Sequence, residues 1–188
     1  MLPPTQHLRV AHAVEDLLIA LGEDPHRPGI KDTPRRVAEM YSDVLDGAYT
    51  DLPEPTMFAG ESYKGMVMQH HIPFYAFCEH HLLPFIGHFG IGYVPAGDRV
   101  IGLSKLVRIF RHGTKRITIQ ERLTTQAVEQ LTKLIQPLGA ICYVKAEHMC
   151  MTLRGVKSQG SKTTTIEFNG IFDDDRELRD QFIQEASK

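Results

Sequence analysis

The residues best suited to metal chemistry in this chain stand in two segments that are far apart in the sequence. One is the tetrapeptide CEHH beginning at Cys78, where a thiol and an imidazole three positions apart could be directed at one ion by a tight turn. The other is HMC ending at Cys150, which offers a distant third ligand. Three protein ligands leave one position open, as in catalytic zinc sites, where the metal lowers the pKa of bound water to roughly 7.

Each of these features also has an interpretation without metal. Cys150 lies in the apolar run MCMTL and could be a buried core thiol, and adjacent histidines such as His70-His71 and His80-His81 are often only solvated. A structural zinc would need a fourth protein ligand, and no second CxxC or HxxxH supplies one. The three cysteines are an odd number, so we expect no disulfide framework. The sequence pattern is compatible both with metal ligation by these cysteines and with their burial in the core.

Glu121 and a set of basic residues indicate how a nucleotide could be held. Glu121 falls near the start of a predicted helix, where its carboxylate could accept from N1 and the 2-amino group of guanine, or could only favour the helix dipole. Basic residues near Ser104 and Gly155 suit phosphate recognition, although a solvated face gives the same pattern. These basic residues are Lys105, Arg108, Arg111, Lys115, Arg116, Arg154 and Lys157. The chain has no GxxxxGK[ST] and no GxGxxG, which argues against a P-loop or a Rossmann turn.

Composition and charge narrow the class of protein. With 42% hydrophobic and 23% charged residues, the 188-residue chain is typical of a globular protein. The formal net charge of -2 gives no broad basic field, so we expect no nucleic-acid partner. No basic start precedes a continuous apolar run, and no stretch approaches 18 uncharged apolar residues. We therefore expect a cytoplasmic protein with no membrane partner.

The elements that must position the candidate residues fall into two regions. We expect an N-terminal helical region over 1–55 and a single compact domain over 56–188 that carries all of the candidates. Helical spacing predicts a first helix over 5–21. Thr33 could cap a second helix, with Pro34 at its first position and a stop near Gly47.

The larger region changes from strand-like to helix-like patterns and back. Near-alternating apolar residues predict two antiparallel strands on either side of CEHH, in MVMQHHIPFYAFC and FIGHFGIGYVPA. Helical periodicity follows in GLSKLVRIFRHG and TIQERLTTQAVEQLTKLIQPLG, and we expect both helices on one face of the sheet. Strand character returns in AICYVKAEHMCMTL and TTTIEFNGIF, before a short terminal helix. This order predicts a two-layer α+β domain.

Five motifs, taken in order, resemble those of one enzyme family, GTP cyclohydrolase I. They are CEHHLLPF, GLSKLVRI, IQERLT, HMCMTLRGV and SKTTT, and with GIKDTPRRVAEMY near the amino end the resemblance covers roughly the whole chain. It implies the tunnelling fold, an antiparallel sheet with helices packed on one face plus N-terminal helices. That fold assembles into a toroidal homo-oligomer, usually a decamer of two pentamers, with active sites at subunit interfaces. Whether a regulatory protein binds is not determined by the sequence.

The resemblance also implies a role for each candidate residue. The ligands of one zinc ion per subunit would be Cys78, His81 and Cys150. The acid/base histidines of the ring opening would be His80 and His148. Glu121 would anchor the guanine edge together with neighbouring backbone. The other contacts to the substrate, GTP, would be made by Gln120, Leu103, Ser104, Lys105, Arg108 and Arg154.

The implied reaction converts GTP and water to 7,8-dihydroneopterin triphosphate and formate, the entry step of folate and tetrahydropterin synthesis. His148 would protonate purine N7, and hydration of C8 would lead to ring opening and loss of formate. The ribose would then rearrange and close a six-membered ring. Histidines suit these steps because their unperturbed pKa is about 6.5.

The chain departs from the family pattern at two places. Gly113 and Thr114 interrupt the helix that leads to Glu121, and Glu39 stands where some relatives carry a lysine that could reach phosphate. Cys142 matches no motif and is expected in the core. The alternatives are a pterin synthase with three zinc-binding histidines, a deazaguanine nitrile reductase with a nucleophilic cysteine, a non-catalytic zinc protein, and a cyclohydrolase for another guanine nucleotide.

Overall fold

The computed structural model describes residues 1–52, 54–60 and 62–188. The chain divides into two compact units, Met1–Asp51 and Leu52–Lys188. None of the helices in these ranges combines the length and the apolar character needed to cross a membrane.

The first unit is a pair of helices, α1 (Pro4–Ala20) and α2 (Thr33–Val44), that pack on each other. Asp32, rather than the predicted Thr33, is the N-cap residue of α2, which places Thr33 and Pro34 in its first turn. Glu39 on α2 forms an ion pair with Arg35, 2.6 Å away. Glu39, which departs from the family pattern, therefore has an ion-pair partner on its own helix.

The second unit contains two sheets and five helices in its described part. In chain order its elements are β1 (Met57–Ala59), β2 (Val67–Cys78), β3 (Pro84–Val94), β4 (Arg99–Ile101), α3 (Leu103–Thr114), β5 (Ile117–Thr118), α4 (Gln120–Ile135), β6 (Gly139–His148), α5 (Met149–Thr152), β7 (Thr163–Phe168), α6 (Ile171–Asp174) and α7 (Arg176–Ser187). β1 pairs with β4, and the larger sheet has the order β5-β2-β3-β6-β7. All pairs are antiparallel except β5 with β2. The mixed α+β class expected from the sequence is confirmed.

The first face of the larger sheet is covered by α3 and α4, as predicted. Alternation along β3 places Phe85, Phe89 and Ile91 on this face, where they join the main buried cluster. Phe110 from α3 stacks on Phe89 with ring centroids 3.7 Å apart. Leu131 from α4 is fully buried in the same cluster.

The second face is also covered, by α6 and α7, which the sequence analysis did not anticipate. Tyr143 of β6 forms a separate buried cluster with Phe172 of α6 and Phe182 of α7. A side-chain carbon at Gly92 would lie 3.0 Å from the Phe182 ring, so the glycine permits this close approach. The run GAICYV in β6 is apolar and buried at consecutive positions because both of its faces are covered.

Two local predictions need correction. The strand predicted through MCMTL ends at His148, and Cys150 lies in the short helix α5. Gly113 does not interrupt α3, which continues to Thr114. A side-chain carbon at Gly113 would lie 2.7 Å from Leu123 Cδ1, so the absence of a side chain lets α3 and α4 approach closely.

Candidate active site

The turn between β2 and β3 fixes the position of the Cys78 thiol. The Cys78 N–H donates to the Leu83 carbonyl, and the Leu82 N–H donates to the Cys78 carbonyl, both over 2.9 Å. Leu82 has a positive φ of 55°, an unusual conformation for a branched residue, which lets the chain reverse here. Cys78 itself is only 4% exposed. The thiol is therefore held in a buried position at the end of β2.

The pairing of β3 with β6 brings the second candidate segment to this turn. His148, the last residue of β6, lies opposite Phe85 near the start of β3. α5 follows directly, and Cys150 packs against the buried cluster that contains Cys78. Burial raises the pKa of Cys150, and the neighbouring Cys78 raises it further. Two cysteines that are 72 positions apart in the sequence thus lie next to each other in the structure.

The two histidines of the turn have different neighbours. His80 Nδ1 lies 3.6 Å from Cys78 Sγ, whereas His81 Nε2 lies 2.8 Å from Arg154 Nη1. We call Cys78, His80 and Cys150 the cysteine cluster. No group of three or more metal-ligating side chains converges in a metal-holding arrangement within the described ranges of the chain. Ligation by His81 would require its ring to leave Arg154.

His148 is held by Gln120, the first residue of α4. The Gln120 amide nitrogen donates to the Val144 and Thr163 carbonyls and to Thr165 Oγ1, over 3.1 to 3.2 Å. These carbonyls can only accept, so the amide oxygen must face His148 Nε2, 2.8 Å away. His148 Nε2 therefore carries a proton, and Nδ1 is the ring nitrogen left to exchange one when the ring is neutral.

The surroundings of His148 also affect its charge. Its ring stacks on Phe85 with centroids 4.7 Å apart and an interplanar angle of 2°. Burial lowers the pKa of His148, while the Glu121 carboxylate opposes this shift. Glu121 is exposed in the first turn of α4, so the residue predicted to bind guanine and the histidine predicted to act in acid/base chemistry lie within electrostatic reach of each other.

One contact at the site was missed by the sequence analysis. Arg122 on α4 forms a two-pronged ion pair with Glu79 of the turn, with a shortest distance of 2.5 Å. Arg122 lowers the pKa of Glu79. The pair joins the turn to the helix that carries Gln120 and Glu121, and no sequence pattern connects two charges 43 positions apart.

The predicted phosphate contacts lie on two elements. Those on α3 occupy its first two turns, and they are Leu103, Ser104, Lys105 and Arg108. Arg154 follows α5 and bonds to His81. Within the described residues, no hydrogen bond joins this part of α3 to the cysteine cluster or to His148. Leu103 lines an apolar groove with Phe58 and Tyr63. The structure thus brings Arg154 to the turn, and the described α3 residues make no direct bond to it.

Comparison with known proteins gives a consistent result along almost the whole chain. A sequence model of the family described as GTP cyclohydrolase I matches residues 10–187. A protein of Brevibacillus brevis named GTP cyclohydrolase 1 is 45% identical over 177 residues, covering 93% of this chain and 94% of its own length. One of Clostridioides difficile with the same name is 46% identical over 169 residues, covering 89% of each chain.

Proposed function

Since this chain belongs to the GTP cyclohydrolase I family, we propose that it opens the purine ring of GTP at the site formed by the Cys78 turn, the end of β6 and the start of α4. The activity is that of the family, a hydrolase that acts on a cyclic amidine. The products are 7,8-dihydroneopterin triphosphate and formate, which would enter folate or tetrahydropterin synthesis. The convergence of Cys78 and Cys150 on one buried cluster, next to the turn that carries His80 and His81, is the observation that carries the assignment to this site.

The donor set suits one zinc ion per chain, with Cys78, Cys150 and His81 as ligands. Two thiolates and an imidazole are borderline-soft donors that zinc prefers, and three of them leave one position for water or substrate. The two cysteines already lie in one buried cluster, and the adjacent turn carries two imidazoles, of which His80 lies beside Cys78 and His81 bonds to Arg154. When bound, zinc would lower the pKa of water to roughly 7 and polarise a carbonyl.

His148 would move the proton at purine N7. The Gln120 amide fixes Nε2 as the donor to the protein, so the exchange with substrate would use Nδ1. Stacking on Phe85 holds the plane of the ring, and burial favours the neutral form. His80, in the turn beside Cys78, would serve as the second acid/base group when the formyl group leaves.

Glu121 would select guanine. Its exposed carboxylate could accept from N1 and the 2-amino group in a paired arrangement, and the neighbouring backbone at Gln120 would complete the contact. The Gln120 side chain is already bonded to four protein groups, so its contribution would come from the backbone and through His148. Adenine presents a different edge and would leave the carboxylate without its two donors.

The triphosphate would bind the basic residues of α3 and Arg154. Ser104, Lys105 and Arg108 occupy the amino-terminal half of α3, where backbone N–H groups and the helix dipole favour anions. Arg154 lies beside His81, so it could hold a phosphate oxygen close to the reacting end of the site. The exposed Leu103 would contact the substrate from the first position of the helix.

A toroidal homo-oligomer, a decamer of two pentamers, remains our proposal for the assembly. β7 is an edge strand of the larger sheet, and Ile166 on it is 37% exposed. An edge strand with an exposed apolar residue favours pairing with another chain. Tyr75 and Ile86, each about half exposed on the same sheet, support the same proposal.

The test is to incubate metal-quantified protein with GTP, with and without a chelator, and to measure formate and the fluorescence of the oxidised pterin. We expect both products, in equal amounts and only without chelator. Bound metal with neither product would refute the assignment. Products that form at the same rate after complete metal removal would refute the zinc part alone.

A further inference from the structure

A second group of histidines, outside the proposed active site, lies on the other face of the larger sheet. His70 and His71 are adjacent in β2, and His88 lies on the neighbouring strand β3. The register of β2 shifts between Gln69 and Ile72, and His71 has a positive φ of 57° within this bulge. We call His70, His71 and His88 the histidine cluster.

The three rings lie close to one another. The centroids of His70 and His71 are 4.6 Å apart, and those of His71 and His88 are 5.9 Å apart. Two imidazoles that share one tetrahedral zinc through nitrogens about 2.0–2.1 Å from it have centroids about 5 Å apart. The spacing of both ring pairs is therefore close to what a shared metal ion requires.

Two ring nitrogens of the cluster lack protein partners. His70 Nδ1 and His88 Nε2 are both buried, and neither has a hydrogen-bond partner within the part of the chain that the structure describes. Buried polar atoms are normally bonded, because an unbonded one has lost its water without compensation. Two such atoms in one cluster indicate that something outside the chain satisfies them.

The charges around the cluster bear on what that ligand could be. The His88 pKa is lowered, first by burial and then by His71, Lys145 and Lys162. A neutral imidazole is the form that binds metal. The Glu185 carboxylate on α7 lies within electrostatic reach of His70 and His71 and would offset some of the positive charge.

We propose that His70, His71 and His88 form a second metal site, for a divalent transition ion such as zinc, with Glu185 of α7 as the fourth ligand. In the described conformation the three rings do not converge on one point. The proposal requires the ring of His71, which is exposed, to rotate toward the other two. Glu185 would exchange its ion pair with Lys188, 2.5 Å away, for the metal.

The donor set separates this site from the proposed catalytic one. It contains no thiol, so a bound cobalt(II) ion would show ligand-field bands without the near-ultraviolet absorption of a cobalt–thiolate bond. Lys145 and Lys162 repel a cation, so binding at the histidine cluster should be weaker than at the two cysteines. Cobalt should therefore fill the two sites in sequence.

The experiment is a cobalt(II) titration of the metal-free full-length protein, followed by absorption. We expect two ions per chain, the first with thiolate absorption and the second without it. His71→Ala should bind one ion and keep the thiolate absorption. Cys150→Ser should lose that absorption and keep the second ion, so failure of the proposed catalytic site and failure of this site give different results.

Matched variants complete the test. His26→Ala removes an exposed histidine from the first unit and should still bind two ions. Lys145→Gln should bind the second ion at least about threefold more tightly, because a nearby like charge is removed. His88→Gln provides a second disruption if His71→Ala fails to fold.

Two outcomes would overturn the proposal. One is a second ion that His71→Ala and His88→Gln both retain. The other is the absence of a second ion together with binding of inorganic phosphate that His71→Ala abolishes, which would make the cluster an anion site.

Discussion

The cysteine cluster lies at the turn between β2 and β3 and takes Cys150 from α5, whereas the histidine cluster lies on β2 and β3 themselves, and the histidines of the two regions differ in how they are bonded. Near the cysteine cluster, His148 bonds to Gln120 and His81 bonds to Arg154. In the histidine cluster, two buried ring nitrogens have no partner in the described part of the chain. The difference shows that side chains from α4 and from the segment after α5 orient the histidines near the cysteine cluster. α7 packs beside the histidine cluster without bonding these two nitrogens.

The largest effect should come from Cys150→Ser. Loss of a thiolate ligand should remove zinc from the cysteine cluster and lower kcat/KM at least about 1000-fold, because the metal supplies several kcal/mol of transition-state stabilisation. Metal content and formate release are the measurements. Cys142→Ala is the matched control: Cys142 is fully buried and its pKa is raised by burial, so its removal should leave zinc in place. Equal loss of zinc in both variants would contradict the assignment.

The next largest effects should separate His80 from His81. His81→Ala should lose zinc, whereas His80→Ala and His148→Ala should keep zinc and lose about 10²- to 10⁴-fold in kcat. The comparison is sharp because the structure places His80, rather than His81, beside Cys78. If His80→Ala loses zinc and His81→Ala keeps it, the two roles are exchanged.

A smaller effect is expected from Gln120→Leu. The Gln120 amide orients His148, and groups that orient a functional histidine typically contribute about 10- to 100-fold. We expect kcat to fall by that amount with KM for GTP little changed. Steady-state kinetics on protein of confirmed metal content provide the measurement.

The control for Gln120→Leu is Thr125→Val. Thr125 on the same helix donates to Glu167 of β7, whereas the hydrogen bond that the described structure gives His148 is made by Gln120. Both variants should lower the midpoint of urea unfolding, since each leaves a strand acceptor without its donor. Only Gln120→Leu should lower kcat, and an equal loss of kcat in both would mean that Gln120 acts only through stability.

The smallest effect concerns the histidine cluster in the absence of metal. The pKa of His88 is lowered from 6.5, so the unfolded chain binds more protons than the folded chain as pH falls below that value. Stability is therefore lost as pH falls through 6.5 toward the folded pKa. With chelator present, the urea midpoint should fall more for the wild type than for His88→Gln between about pH 7.5 and about pH 5.5.

The neighbours of His88 set the control for this prediction. His70, His71 and Glu185 are present in both proteins, so the difference between wild type and His88→Gln isolates one ring. His26→Gln, at an exposed position, should behave as the wild type does. If the urea midpoint of the wild type falls no more than that of His88→Gln, the folded protein does not oppose protonation of His88.

The fold was largely predictable because periodicity is a local property. Period-two alternation marked β2 and β3, and helical spacing marked α3 and α4 and their common face. The prediction failed where tertiary packing, and not the local sequence pattern, decides the conformation of the chain. Cys150 lies on α5 because the chain turns away at the end of β6, and Gly113 stays helical because Leu123 packs against it. The helices that cover the second face of the sheet could not be predicted from the sequence of β6, because a strand with both faces buried shows no alternation of polar and apolar residues.

The sequence by itself determined the family, the residue types of the candidate site and the order of the elements, because ordered motifs and periodic patterns are properties of the chain. Only the tertiary structure decided which of those residues meet. The β3–β6 register carries Cys150 to Cys78, and the start of α4 delivers Gln120 to His148. A strand bulge brings His71 to His88. Contacts between residues tens of positions apart depend on strand register and helix packing, which no local pattern in the sequence specifies.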